Sequence, residues 1–172
     1  MVTGPPPGPW DVAAGVVDPE MPMLTLADLG VLRGVERADD GTVVVTVTPT
    51  YSGCPALEAM RDDLHRALRA AGHPRVEVRV VLSPPWSTDR ISDAGRRKLA
   101  AAGVAPPARL GPRPAGPVPL DLPFPGAGRV VACPRCGSAD TEVLSRFGPT
   151  ACTALRRCRA CAEPFEHVRE SG

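Results

Sequence analysis

Between Gly103 and Gly128 the chain carries eight prolines and five glycines in 26 residues. Proline fixes φ and has no backbone N–H, and glycine loses the most conformational freedom on ordering. Such a stretch is expected to form neither helix nor sheet. It therefore divides the 172-residue chain into pieces that must fold for separate reasons. The expected organisation is a disordered start at 1–9, a main domain at 10–102, a Pro/Gly-rich linker at 103–130 and a small module at 131–172. With 43% hydrophobic residues there is enough apolar side chain for one moderate core.

The main domain is organised around Pro49-Thr50-Tyr51-Ser52-Gly53-Cys54-Pro55. Before it, residues 42–48 form an alternating apolar run of valines and threonines and read as a strand; after it, 55–71 reads as a helix closed by Gly72. Leu57, Met60, Leu64, Leu68 and Ala71 form one apolar stripe on that helix. Residues 31–37 read as a strand joined to 42–48 through the turn residues Ala38-Asp39-Asp40-Gly41, and 76–82 as a third strand. A strand–helix–strand unit of this length predicts a right-handed crossover and parallel strands. The fold class is thus α/β (α+β): a small three-stranded mixed sheet with helices, then a linker and a ribbon. Shorter helices are expected at 10–16, 25–29 (Thr25 as cap) and 92–102 (Ser92 as cap).

Pro55 suits the first position of a helix, which puts Cys54 at or near the N-cap. Backbone N–H groups and the helix dipole would then favour its thiolate. A thiolate there can bind metal or act as a nucleophile, and position alone equally allows a small buried cysteine filling a corner. The carboxyl ends of strands 42–48 and 76–82 open on one edge, where open α/β sheets bind ligands. The acidic turn Asp18-Pro19-Glu20-Met21-Pro22 is either a solvated loop or a recognition or ligand edge.

In the tail, Cys133-Pro134-Arg135-Cys136 and Cys158-Arg159-Ala160-Cys161 are two Cys-x-x-Cys pairs, 21 residues apart. Each pair turns two sulfurs toward one ion, and the two together complete a tetrahedral four-thiolate site. The expected metal is structural zinc, with a rubredoxin-like iron site as the alternative. Val143, Leu144, Phe147, Leu155, Phe165 and Val168 are the few apolar residues here, so the module is expected to need its ion to fold. Cys152 is odd: a packing residue or a spare thiol.

A formal net charge of +1 gives no whole-molecule attraction to nucleic acid or anionic lipid. Six arginines against five acids in 131–172, together with four thiolates and a divalent ion, leave the tail no electrostatic case for phosphate. The Pro/Gly-rich start lacks a basic region and an apolar core, and no apolar run approaches a membrane span. A cytoplasmic protein is expected, in which cysteines serve as ligands or reactive thiols rather than disulfides.

Asp18-Pro19-Glu20-Met21-Pro22, Asp28-Leu29-Gly30 and Thr50-Tyr51-Ser52-Gly53-Cys54-Pro55 resemble the iron–sulfur cluster assembly domain of SufT-type proteins. Ser83-Pro84-Pro85-Trp86-Ser87-Thr88-Asp89, Ser145-Arg146-Phe147-Gly148 and Glu163-Pro164-Phe165 narrow the resemblance to the PaaD family. Those proteins are accessory components encoded with the multicomponent phenylacetyl-CoA epoxidase. Arg90 and His167-Val168 depart from the aromatic residues expected there. The resemblance implies a maturation role: helping to deliver iron–sulfur clusters or iron to a diiron oxygenase and its iron–sulfur flavin reductase, alongside the iron–sulfur assembly machinery. By position it implies Cys54 as the cluster or iron ligand, supported by Asp18, Glu20, Thr50 and Ser52. It also implies Cys133, Cys136, Cys158 and Cys161 as the zinc ligands.

Three function classes meet these residues. One thiolate cannot alone hold a [2Fe–2S] cluster, which normally has four protein ligands, so a carrier needs a homodimer, a shared labile cluster or the recipient's ligands. An enzyme using Cys54 as nucleophile needs a nearby base. His65 lies about 16 Å away by helical rise, and neither His73 nor His167 is placed better, so catalysis is not expected. The third class is a non-catalytic adaptor that docks the epoxidase components without carrying a cluster.

Overall fold

The computed structural model describes residues 7–51, 53–111 and 130–170, and the chain divides into two units, residues 1–98 and 99–172. In the first, α1 (Pro9–Ala14) is followed by a loop, then α2 (Leu26–Leu29), β1 (Leu32–Arg37), β2 (Val43–Val47), α3 (Leu57–Ala70) and β3 (Val76–Val80). The sheet order is β1-β2-β3. β1 and β2 are antiparallel and β2 and β3 parallel, in the expected mixed arrangement. The hairpin closes through Ala38 N–H to Thr42 C=O at 2.9 Å, and Gly41 at φ +83° occupies the left-handed region that glycine enters without penalty.

The alternation of β2 fixes its faces. Val43, Val45 and Val47 are fully buried, as are Met60, Leu64 and Leu68 on the apolar stripe of α3. Each of these side chains contributes about 1.5–3 kcal/mol by leaving water. Leu57 and Ala71, at the ends of the expected stripe, are only half-buried.

A second set of contacts fixes the corner after α2. Thr25 caps α2 by accepting from Asp28 N–H at 3.1 Å, and Asp28 Oδ2 accepts from Thr25 N–H at 3.1 Å, a reciprocal capping box. Asp28 Oδ1 also accepts from Ser92 Oγ at 3.3 Å, and Asp28 Oδ2 from Lys98 Nζ at 2.6 Å. The Trp86 indole N–H donates to Leu29 C=O at 2.9 Å. Gly30 has φ +71°, and a Cβ there would stand 2.6 Å from both Arg90 Cβ and Arg90 C=O. The Asp28-Leu29-Gly30 and Ser83–Asp89 stretches therefore pack on one another, which accounts for both motifs architecturally. Ser87 caps a short 3-10 helix (Thr88–Arg90), and Ser92 caps α4 (Asp93–Ala101) by accepting from Gly95 N–H at 2.9 Å.

In the second unit, β4 (Val104–Ala105), β5 (Thr141–Ser145), β6 (Thr153–Cys158) and β7 (Pro164–Val168) form one sheet ordered β4-β7-β6-β5. β4 corrects the expectation for the Pro-rich stretch. Val104 and Ala105 precede its first proline and pair in parallel with Glu166 and His167 of β7; Pro106 and Pro107 cannot continue the ladder. Residues 112–129 of the expected linker, and residues 1–6 of the start expected to be disordered over 1–9, lie outside the described residues. The end of that start is corrected, because Gly8 is the N-cap of α1 and Pro9 its first residue.

The second unit's small core gathers Ala105, Val131, Cys133, Cys158 and Phe165. Phe165 and Val168 are buried, whereas Val143, Leu144 and Phe147 are exposed. So little core space exists beside the cysteine cluster that these three side chains find no place in it. No helix among the described residues is long and apolar enough to cross a membrane.

Candidate functional site

Two cysteine-bearing sites stand on these frames. In the second unit, the loop before β5 carries Cys133 and Cys136, while Cys158 ends β6 and Cys161 lies in the turn into β7. The four sulfurs all lie within 4.8 Å of one another. Cys133 Sγ is 3.8 Å from Cys161 Sγ, and Cys136 Sγ is 3.5 Å from Cys158 Sγ. Zinc–sulfur bonds of about 2.3 Å put tetrahedral sulfurs about 3.8 Å apart, so the donor set fits one such ion. Cys133 and Cys158 are buried against Phe165, and Cys136 and Cys161 face solvent.

The backbone builds each turn in the same way. Cys133 N–H donates to Ser138 C=O and Cys158 N–H to Glu163 C=O, both at 2.9 Å. The residue after each second cysteine has positive φ: Gly137 at +75° and Ala162 at +61°. Alanine is disfavoured there by about 1 kcal/mol relative to glycine. Ala162→Gly is therefore expected to raise the stability of the metal-loaded ribbon by about that amount, read as an upward shift in its thermal midpoint.

The thiols respond to crowding. The Ser138 N–H favours the Cys136 thiolate, but the sulfurs of Cys158, Cys161 and Cys133, with burial, outweigh it and push Cys136 up to about 12. Cys158 is drawn down to about 7, chiefly by the Cys161 N–H acting against burial. Four thiolates cannot share this volume without a cation. Cys152 lies half-buried outside the cluster, its Sγ 3.3 Å from Thr150 Oγ1.

The arginines nearby are already engaged. Arg157 and Arg159 both pair with Glu142, and Arg156 donates to Thr141 Oγ1 at 3.2 Å.

In the first unit, Cys54 follows β2, but the helix begins later than the sequence predicts. Ala56 is the N-cap and α3 starts at Leu57, so Pro55 precedes the cap rather than opening the helix. Cys54 instead sits in a tight turn, its N–H donating to Tyr51 C=O at 3.2 Å and its C=O accepting from Leu57 N–H at 3.3 Å. Its thiol is pushed up, not down. Burial is the largest cause and the charges of Glu20 and Asp18 add to it; the Ala56 N–H and the Thr50 hydroxyl favour the thiolate but are outweighed. The expected thiolate-favouring environment is therefore corrected: among the described residues one helix-end N–H, that of Ala56, reaches this sulfur, and two carboxylates oppose it. Among the described residues, no histidine acts on it.

Asp18 is 3% exposed, and its Oδ1 accepts from Glu20 N–H at 2.9 Å and Met21 N–H at 2.7 Å. It thereby shapes the loop that carries Glu20. Burial raises the pKa of Asp18 despite those bonds, and burial with the Asp18 charge raises that of Glu20. Cys54, Asp18, Glu20 and Thr50 are thus brought within mutual influence. Ser52 lies outside the described residues. Among the described residues, only the ribbon cysteines form a group of three or more His, Cys, Asp or Glu ligand atoms closed to chelating distance.

Residues 11–80 match the family described as iron-sulfur cluster assembly protein, and residues 125–169 match the PaaD zinc beta ribbon domain. An Escherichia coli protein named as a component of "Putative 1,2-phenylacetyl-CoA epoxidase" is 39% identical over 160 residues, covering 93% of this chain and 90% of that protein. An Fe-S protein maturation auxiliary factor of Bacillus subtilis is 38% identical over 80 residues, 45% of this chain and 76% of that one. The crystal structure of a domain of unknown function, DUF59, from Bacillus anthracis aligns with 29% identity and a TM-score of 0.49, covering 53% of this chain and 87% of that one. With an iron–sulfur assembly domain ahead of a four-cysteine ribbon, and near full-length similarity to an epoxidase component, the chain belongs to the PaaD family.

Proposed function

We propose that this protein is a cytoplasmic, non-catalytic maturation factor that helps assemble or insert iron–sulfur or iron centres into phenylacetyl-CoA epoxidase. Its partners are the epoxidase's diiron oxygenase, the iron–sulfur flavin reductase and the iron–sulfur assembly machinery. The reading is supported by the names of its relatives, a phenylacetyl-CoA epoxidase component and Fe-S maturation factors. The observation that carries it is that the Asp18–Glu20 loop before α2 acts on Cys54, which stands with Thr50 in the turn after β2.

In this reading Cys54 is the ligand of the iron cargo, with Asp18, Glu20, Thr50 and Ser52 in support. The carboxylates that keep the thiol protonated would attract a cation, and the cation's charge would then stabilise the thiolate, so uptake exchanges a proton for metal. A site that must lose a proton to bind, and that offers one sulfur, holds iron weakly enough to release it. The remaining ligands of a cluster come from a second copy or from the recipient. In the ribbon, Cys133, Cys136, Cys158 and Cys161 hold a structural zinc.

The test is anaerobic reconstitution with iron and sulfide, comparing the wild type with Cys54→Ala, together with the iron content of the oxygenase in cells expressing each. The wild type is expected to gain iron–sulfur absorbance and Cys54→Ala to show none, with oxygenase iron falling to the level of cells lacking the protein. Fully metallated, active epoxidase in Cys54→Ala cells would overturn the proposal. An adaptor that docks epoxidase components without carrying a cluster would then be the better description.

A further inference from the structure

Three of the ribbon's seven large apolar residues, Val131 included, stand in solvent: Val143 is 52%, Leu144 47% and Phe147 75% exposed. A module with so small a core gains nothing in stability from a phenylalanine left outside it. The three side chains fall on β5 and the turn after it, and β5 is an edge strand of its sheet. Two cations accompany them. Arg169 places its guanidinium 5.9 Å from the centroid of the Phe147 ring, and Arg146 precedes Phe147 in the same turn. Among the described residues neither arginine has a carboxylate partner: the nearby acid Glu142 is taken by Arg157 and Arg159, and Arg169 donates instead to Ala151 C=O.

The shape of β5 limits what this surface can receive. Its register with β6 shifts between Val143 and Ser145, which leaves Leu144 without a partner on β6. A bulge of this kind twists an edge strand away from further pairing, so another strand is poorly accommodated. The remaining mode is insertion of side chains, with an exposed aromatic as anchor and charges at its rim. A second copy would bring the same pair of arginines against this pair in a two-fold contact, and like charges oppose that.

We infer that Phe147, Leu144 and Val143, flanked by Arg146 and Arg169, form the docking face for an apolar pocket rimmed by carboxylates on an epoxidase component. The partner's identity rests on the maturation reading; the surface itself stands on the ribbon alone. It is separate in sequence and unit from the Cys54 site, so docking and cargo handling can be tested apart.

The experiment measures binding of the full-length, metal-loaded protein to the purified oxygenase and reductase components, each in turn, at two salt concentrations. Phe147→Ser is expected to weaken binding to one component at least about 30-fold. Arg146→Glu is expected to slow association and flatten its salt dependence, because rim charges act mainly on the on-rate. Both variants should retain the ribbon metal and the wild-type response to iron and sulfide, since the altered side chains are exposed. Wild type and both variants binding alike would overturn this inference and leave the maturation reading intact. Wild type binding neither component would overturn the partner assigned by that reading and, with it, the docking face. A wild-type dimer that Phe147→Ser dissociates would place a second copy on the surface, also overturning the inference.

Discussion

Removing the metal from the full chain with a chelator is expected to unfold residues 131–170 while β1, β2, β3 and α3 keep their hydrogen-exchange protection. The ribbon's core cluster has five members, and two of them, Cys133 and Cys158, belong to the cysteine cluster itself. Without an ion, little apolar area remains to offset the entropy of ordering some forty residues. The four sulfurs would also be crowded with no cation between them, the condition that pushes Cys136 up to about 12. Structural zinc in small modules supplies on the order of 10 kcal/mol at neutral pH, more than a domain of this size holds otherwise. Cys158→Ser should act like the chelator, since it removes a buried ligand at the centre of the cluster. Hydrogen exchange read by mass spectrometry separates the two units. Protection of β6 and β7 that survives complete metal removal would show that the ribbon folds on its apolar contacts alone.

Much of this fold is written in short-range signals. The β1–β2 turn needs only Asp40 and Gly41, the three strands alternate, α3 carries its stripe, and Thr25 and Ser92 cap the helices they precede. The ribbon cluster is equally readable, because each Cys-x-x-Cys pair is itself a local ligand geometry. What escapes a local pattern is long-range. Asp28 meets Ser92 and Lys98 across 64 and 70 residues of chain, and nothing near it in sequence foretells this. β4 is two residues long and pairs with a strand some sixty residues later, so its apolar dipeptide is lost beside the prolines. The Cys54 thiol depends on carboxylates more than thirty positions upstream; the adjoining helix alone suggests only the groups that favour the thiolate. Exposure of Val143, Leu144 and Phe147 follows from how little core the cysteine cluster leaves free, which composition does not convey.

Asp28 shows what such a long-range contact is worth. Replacing it by alanine is expected to destabilise the first unit by about 3 kcal/mol, because hydrogen bonds to a charged group contribute roughly 1.5–3 kcal/mol each and are not additive. The Lys98 contact adds little of this, since that side chain is 47% exposed and its attraction is screened by water. The larger loss is the Thr25 cap and the tie to Ser92, which together hold α2 against the start of α4. Gly30 and Gly95 lie so close to Arg90 and Asp28 that the neighbouring backbone has little room to settle into the gap. The effect carries a pH signature with a definite sign. Burial opposes ionisation of Asp28, but the Lys98 ammonium and the Thr25 N–H and hydroxyl outweigh it and hold the carboxyl below its ordinary value of 3.8. A carboxyl depressed in the folded state stabilises fully above its unfolded pKa, and that contribution fades as pH falls through the folded one. The stability gap between wild type and Asp28→Asn, from urea titrations, should therefore be flat between about pH 5 and 7 and shrink below about pH 4. A gap independent of pH down to about 3 would mean that the carboxylate's charge contributes nothing and that only its hydrogen-bonding shape matters.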